Sequence, residues 1–114
     1  MKVDSAIFYT NDIDKVLELY KDQVGLKVDY LHEGKFVSFI FEHGVRLGIK
    51  KAKEKREKPG HQTLIIGSED IQSVYEDMKK KGITMNKPLT EEKWGIEFSF
   101  LDPDRNKIVF IKRK

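Results

Sequence analysis

The chain has 114 residues, enough for one compact domain or for two half-domains sharing a core, and too few to add a separate cofactor domain. Apolar residues make up 39% and charged residues 36%, where a typical soluble domain has about 25% charged, so a modest core carries a densely charged surface. Lys plus Arg exceed Asp plus Glu by 22 to 19, and residues 50–58 (KKAKEKREK) alone contribute +4 of that balance. Basicity confined to one stretch leaves no broad footprint for nucleic acid, so that class of partner is not expected.

Cysteine is absent, which removes disulfides, thiolate nucleophiles and sulfur-ligated metals together. No apolar run approaches the roughly 20 residues a bilayer requires, and the N-terminal MKVDSAIF is broken by Asp4. The expectation is a soluble cytoplasmic protein with no membrane partner.

In chain order, a β-rich run at residues 3–9 (VDSAIFY) leads to an amphipathic helix with Ile13, Val16, Leu17, Tyr20 and Val24 at helical spacing. Gly25 stops that helix. A short strand at 27–31 and a hairpin follow, its strands being 36–41 (FVSFIF) and 45–50 (VRLGIK), with Glu42-His43-Gly44 as the turn. The same order then repeats. Residues 62–67 (QTLIIG) precede a helix with Ile71, Val74, Tyr75 and Met78 on one face, stopped by Gly82, and strands are expected at 83–87, 95–100 (GIEFSF) and 108–112. The D-I-x-x-V of the first helix recurs 58 residues later, and Thr10 and Ser68, or Asp12 and Asp70, are placed to cap the two helices. Each half therefore reads as β-α-β-β-β: residues 1–50 form the first module, 51–60 a basic linker, and 61–114 the second, within one domain.

The tandem modules, the D-I pairs at the helix starts, Gly25-Leu26, Trp94-Gly95 and Asp102-Pro103-Asp104 before the last strand resemble the vicinal oxygen chelate superfamily. It includes glyoxalase I, fosfomycin-resistance enzymes, extradiol dioxygenases and bleomycin-resistance proteins. The resemblance implies an α+β fold in which two βαβββ modules form a curved, partly open mixed β-sheet barrel around a cavity, with helices on the convex face. It also implies a homodimer. Where family members place a Gly after D-P-D, this chain has Arg105, so Asn106 is expected to take the positive φ of the turn.

Enzymes of the superfamily hold a divalent metal with side chains on the first and fourth strands of each module. The corresponding positions here are Ser5, Arg46, Thr63 and Val109, none of them His, Asp or Glu, so no metal and no cofactor is expected. His61, two residues before Thr63, is the one imidazole that strand alternation would bring to the same face.

Alternation also assigns the strand faces. Ser5, Ile7 and Tyr9, Ser38 and Ile40, Arg46 and Gly48, Thr63 and Ile65, Glu97 and Ser99, and Val109 and Ile111 share the face away from the helices, while Trp94, Ile96, Phe98 and Phe100 face a helix. Such an apolar surface with a few polar groups suits a small molecule. Arg46 would hold an anionic or carbonyl group of the ligand, or else pair with Glu97. The resemblance to antibiotic-binding members makes Trp94 a ring-stacking candidate, against core packing. The predicted ligand-binding set is thus Ser5, Ile7, Tyr9, Ser38, Arg46, Thr63, Trp94, Glu97 and Val109. Two functions stay open: capture of a small, partly aromatic or anionic molecule without chemistry, and a metal-dependent lyase or dioxygenase-type reaction at a displaced site using His61 and Glu97.

Overall fold

The computed structural model describes residues 1–114, which form two compact units, Met1–Gly60 and His61–Lys114. The first contains β1 (Ser5–Thr10), α1 (Ile13–Leu17), β2 (Lys27–His32), β3 (Phe36–Ile40) and β4 (Arg46–Lys51). The second contains β5 (Thr63–Gly67), α2 (Ile71–Lys80), β6 (Lys87–Glu92), β7 (Gly95–Leu101) and β8 (Lys107–Arg113). Each unit is a four-stranded mixed sheet, ordered β1-β4-β3-β2 and β5-β8-β7-β6, with the outer pairs β1/β4 and β5/β8 parallel and the rest antiparallel. The α+β class and the β-α-β-β-β order match the sequence reading, and neither sheet closes on itself.

One face of each sheet is buried under its helix, where α1 meets β3 and β4 and α2 meets β7 and β8. In the first unit Val16, Tyr20, Val37, Phe39, Leu47 and Ile49 are buried, and the Tyr20 and Phe39 rings meet at 5.7 Å. In the second, Phe98 lies between Tyr75, at 5.1 Å, and Phe110, stacked at 5.2 Å and 4°. Removing such a ring typically costs about 3–5 kcal/mol, so these contacts pin which side of each strand faces the helix.

The first helix departs from the expected continuous α-helix. After Leu17 it widens into a π turn over Glu18–Gln23, closed by Val24 N–H donating to the Leu19 carbonyl at 2.8 Å. Leu19 and Tyr20, neighbours in sequence, are both buried on this turn. Asp12 caps this helix by accepting from Lys15 N–H at 3.2 Å, Thr10 supports Asp12 through its hydroxyl, and Asp70 makes no such bond at α2. Gly25 (φ 85°) and Gly82 (φ 90°) end the helices as expected.

The strand expected at 83–87 lies later, at Lys87–Glu92. Ile83 is drawn into the core and its N–H returns to the Met78 carbonyl, which ties residue 83 to the helix end. Pro88 is tolerated because β6 is an edge strand and the pairing slips between Lys87 and Thr90.

The segment predicted as a linker folds back on the first unit through Glu57, only 5% exposed. Its carboxylate accepts from Lys50 Nζ at 2.6 and 2.7 Å and from the N–H groups of Lys53 and Glu54. The Lys50 hydrogen bond first, then the two backbone donors, hold its pKa at about 2 against burial. A carboxyl with a lower pKa folded than unfolded stabilises at pH above the unfolded value and loses that contribution as pH falls through the folded one. Denaturant titrations are therefore expected to find E57Q less stable than the wild-type chain at neutral pH, the gap closing between pH 4.5 and about 2.

In the Asp102–Asn106 turn the positive φ falls on Arg105 (70°) and not on Asn106. Asn106 is buried and fully used: its N–H and side-chain amide donate to Asp102, and its Oδ1 accepts from Gln62 N–H. R105G should raise stability by up to about 1 kcal/mol in thermal denaturation, since relief of about 1–2 kcal/mol exceeds the added entropy of the unfolded chain.

Candidate functional site: the open sheet faces

Alternation leaves one face of each sheet without a helix. In the first unit the register pairs Ser5 with Arg46, Ile7 with Gly48 and Tyr9 with Lys50, and sets Phe36, Ser38 and Ile40 against Lys50, Gly48 and Arg46. These residues share the open face, as expected. Gly48 leaves room there for Ile7 and Phe36, whose Cδ1 and Cζ would stand 2.6 Å and 2.9 Å from a Cβ, so both side chains lie over it as an apolar patch and a larger residue would push their ends aside. Tyr30 extends the patch beside Phe36, with ring centroids 6.3 Å apart.

The polar group of this face is built around Asp29, which sequence reasoning missed. A register slip between Val28 and Tyr30 turns its carboxylate toward Arg46 and Ser38. Asp29 Oδ2 accepts from Arg46 Nε at 2.8 Å and from Ser38 Oγ at 3.4 Å, while Arg46 Nη1 donates to the Gly44 carbonyl. The Asp29 hydrogen bond raises the Arg46 pKa further. The guanidinium is thus clamped by two of its nitrogens. Its partner is Asp29, not Glu97 as one sequence alternative had it, because the slip delivers a carboxylate from the edge strand β2 across β3 of the same sheet.

In the second unit Thr63 and Ile65 lie beside Lys107 and Val109, and Glu97, Ser99 and Leu101 lie opposite Ile111, Val109 and Lys107. Ile65 is 53% exposed. Trp94 does not share the buried face of Ile96, Phe98 and Phe100. It sits in the turn between β6 and β7, outside strand alternation, 50% exposed, and its indole N–H donates to Glu97 Oε1 at 2.5 Å. Gly95 follows with φ 149°, where a Cβ would run into the Lys112 carbonyl oxygen, which accounts for the Trp-Gly pair.

Glu97 is nearly enclosed and belongs to a short chain of charges: Lys87 Nζ lies 3.5 Å from Glu97 Oε2 and 2.6 Å from Glu92 Oε1. The Trp94 hydrogen bond is the largest influence on Glu97, followed by burial, which opposes it, and then by Lys87; the net result is a lowered pKa. A general base tuned toward neutrality needs the opposite direction. His61 lies before β5 at φ 65° and is exposed, so alternation does not carry it to the Thr63 face. Within neither unit do three His, Asp or Glu side chains gather as an ion site.

The register also corrects the internal alignment. Ser5 pairs with Arg46 and Thr63 with Lys107, so the counterpart of Arg46 is Lys107, not Val109, and the counterpart of Ser38 is Ser99. The offset between modules grows from 58 residues at Ser5 and Thr63 to 61 at Arg46 and Lys107, because the segment after α2 is longer.

The model of one protein family matches residues 2–110: Glyoxalase/Bleomycin resistance protein/Dioxygenase superfamily. The chain belongs to this superfamily. A Bacillus subtilis (strain 168) protein, YraH, is 28% identical over 98% of both chains. Among solved structures, the antibiotic binding protein TnmS3 from Streptomyces sp. CB03234 aligns with TM-score 0.85 at 18% identity, covering 100% of this chain and 97% of its own. A superfamily member from Sphaerobacter thermophilus DSM 20745 aligns with TM-score 0.78 at 23% identity, covering 99% and 98%. At these identities the likeness is one of fold.

Trp94 is the only tryptophan, so its fluorescence reports the Glu97 contact directly. An acid titration of the emission is expected to show a transition with its midpoint below 4.5, absent in E97Q; a midpoint above that value would contradict the arrangement.

Proposed function

We propose that this member of the superfamily binds and holds a small, partly aromatic or anionic organic molecule against its open sheet faces and does not transform it. The observation that carries the reading is Trp94: a half-exposed aromatic ring whose one polar atom is already satisfied by Glu97, leaving a fixed flat surface that binding need not first order. On the first unit's own face the Ile7, Phe36 and Tyr30 patch supplies apolar area, and Arg46 adds a clamped guanidinium whose Nη2 remains available to a carbonyl or anionic oxygen. Ser5, Tyr9 and Ser38 complete the proposed lining on the first unit's face, and Thr63, Glu97 and Val109 that on the second unit's face. The fold likeness to TnmS3, an antibiotic binding protein, is in keeping with capture.

The divalent ion of the family's enzymes does not fit the residues present. Ser5, Arg46 and Thr63, with Val109 or its register neighbour Lys107, offer two hydroxyls, a guanidinium and either a hydrocarbon or an ammonium, where such ions need carboxylates and imidazoles. A reaction through His61 and Glu97 gains no support either, since His61 lies outside the strand and Glu97 has a lowered proton affinity.

Calorimetric titration with 2-naphthamide, a flat uncharged aromatic, tests the reading. The expected result is saturable binding with quenching of Trp94, weakened about 2- to 10-fold in W94A, as the loss of about 0.5–1.5 kcal/mol of ring contact implies. The compound should be recovered unchanged, and nickel or manganese should leave the melting temperature where it was. Absence of binding, or turnover that a chelator abolishes and the ion restores, would overturn it.

A further inference from the structure

Four Lys or Arg side chains are half-buried: Arg46, Lys50, Lys87 and Lys107. The first three each have a carboxylate oxygen within 2.8 Å, on Asp29, Glu57 and Glu92. Lys107 has none within ion-pair distance, although Glu97 feels its charge. A cation partly withdrawn from water with no carboxylate in contact is suited to an anion from outside the chain.

The internal repeat says where that anion goes. Lys107 stands beside Thr63 as Arg46 stands beside Ser5, a cation and a hydroxyl at the start of a parallel strand pair. The difference lies in the acid that faces the cation in the first unit. There Asp29 bonds Ser38 and neutralises Arg46; in the second unit the group bonding Ser99 is Asn86, whose Nδ2 donates to Ser99 Oγ at 3.2 Å. An amide that donates to the serine thus stands in for an acid that accepts from it, and it carries no charge. Glu97, whose carboxylate the charge of Lys107 reaches, is committed to Trp94 and Lys87.

We propose that Lys107, with the Thr63 hydroxyl beside it, is an oxyanion-binding position, and that the molecule held on the second unit's open face carries a carboxylate or phosphate group. This rests on the small-molecule reading and narrows it to an organic anion. It also gives a role to a residue that the sequence alignment of the two halves passed over in favour of Val109.

The test compares 2-naphthoate with 2-naphthamide by calorimetry at matched ionic strength, in the wild-type chain, K107M, K107R and K112M, the last removing an exposed cation on the same strand. The naphthoate is expected to bind about 10-fold more tightly than the amide, the size of one charge-assisted hydrogen bond. K107M should erase that preference without weakening the amide, while K107R and K112M should keep it; melting curves establish that each variant is folded. Equal affinity of the wild type for both compounds, or a preference that survives K107M, overturns the oxyanion position and leaves the capture reading standing. If neither compound binds, both fall.

Discussion

The packing of Tyr75, Phe98 and Phe110 is the contact on which the chemistry of the second unit depends. Successive side chains on a strand point to opposite faces, so once Phe98 and Phe110 are held under α2, Glu97, Ser99, Val109 and Ile111 have no choice but the other side. Tyr20 on Phe39 does the same for Ser38 and Ile40 in the first unit. Functional residues are thus aimed by apolar packing on the reverse of the sheet, and a one-residue slip would exchange the core for the site.

The open faces manage charge by local pairing. Arg46 meets Asp29, Lys50 meets Glu57, and Lys87 meets Glu92 and Glu97, each within its own unit. Such pairs contribute little net stability when partly exposed, but they fix where a guanidinium or carboxylate points. Glu97 illustrates the use of this. Lys87 and the Trp94 indole keep it anionic, and an anionic Glu97 in turn holds Trp94 in a set orientation at the start of β7. What reads in sequence as a candidate base is, in this arrangement, an anchor for an aromatic surface.

Comparison of the two modules separates what the repeat preserves from what it varies. The order of elements, the central serines Ser38 and Ser99, and the cation beside a hydroxyl recur; the acid bonded to the first serine gives way to an amide bonded to the second. Gly48 is the counterpart of Val109 in this correspondence, exchanging a space filled by Ile7 and Phe36 for a branched side chain. Two related faces of one chain therefore differ in charge balance and relief.

The sequence by itself determined the β-α-β-β-β repeat, the superfamily, the helix stops at Gly25 and Gly82 and the face to which each strand residue in the site belongs. These follow from periods of 3.6 and 2 and from turn chemistry, all local quantities. Only the tertiary structure decided which residues on a face become partners. The one-residue slips at Asp29 and between Lys87 and Thr90, the π turn after Leu17 and the longer segment that moves β6 to residues 87–92 set pairings that local periods do not encode, and the counterpart of Arg46 lies at Lys107, two residues from Val109 and so on the same face. That is why Arg46 was assigned to the right face and matched to the wrong counterpart, and why Trp94, in a turn where alternation does not apply, was read as facing the helix.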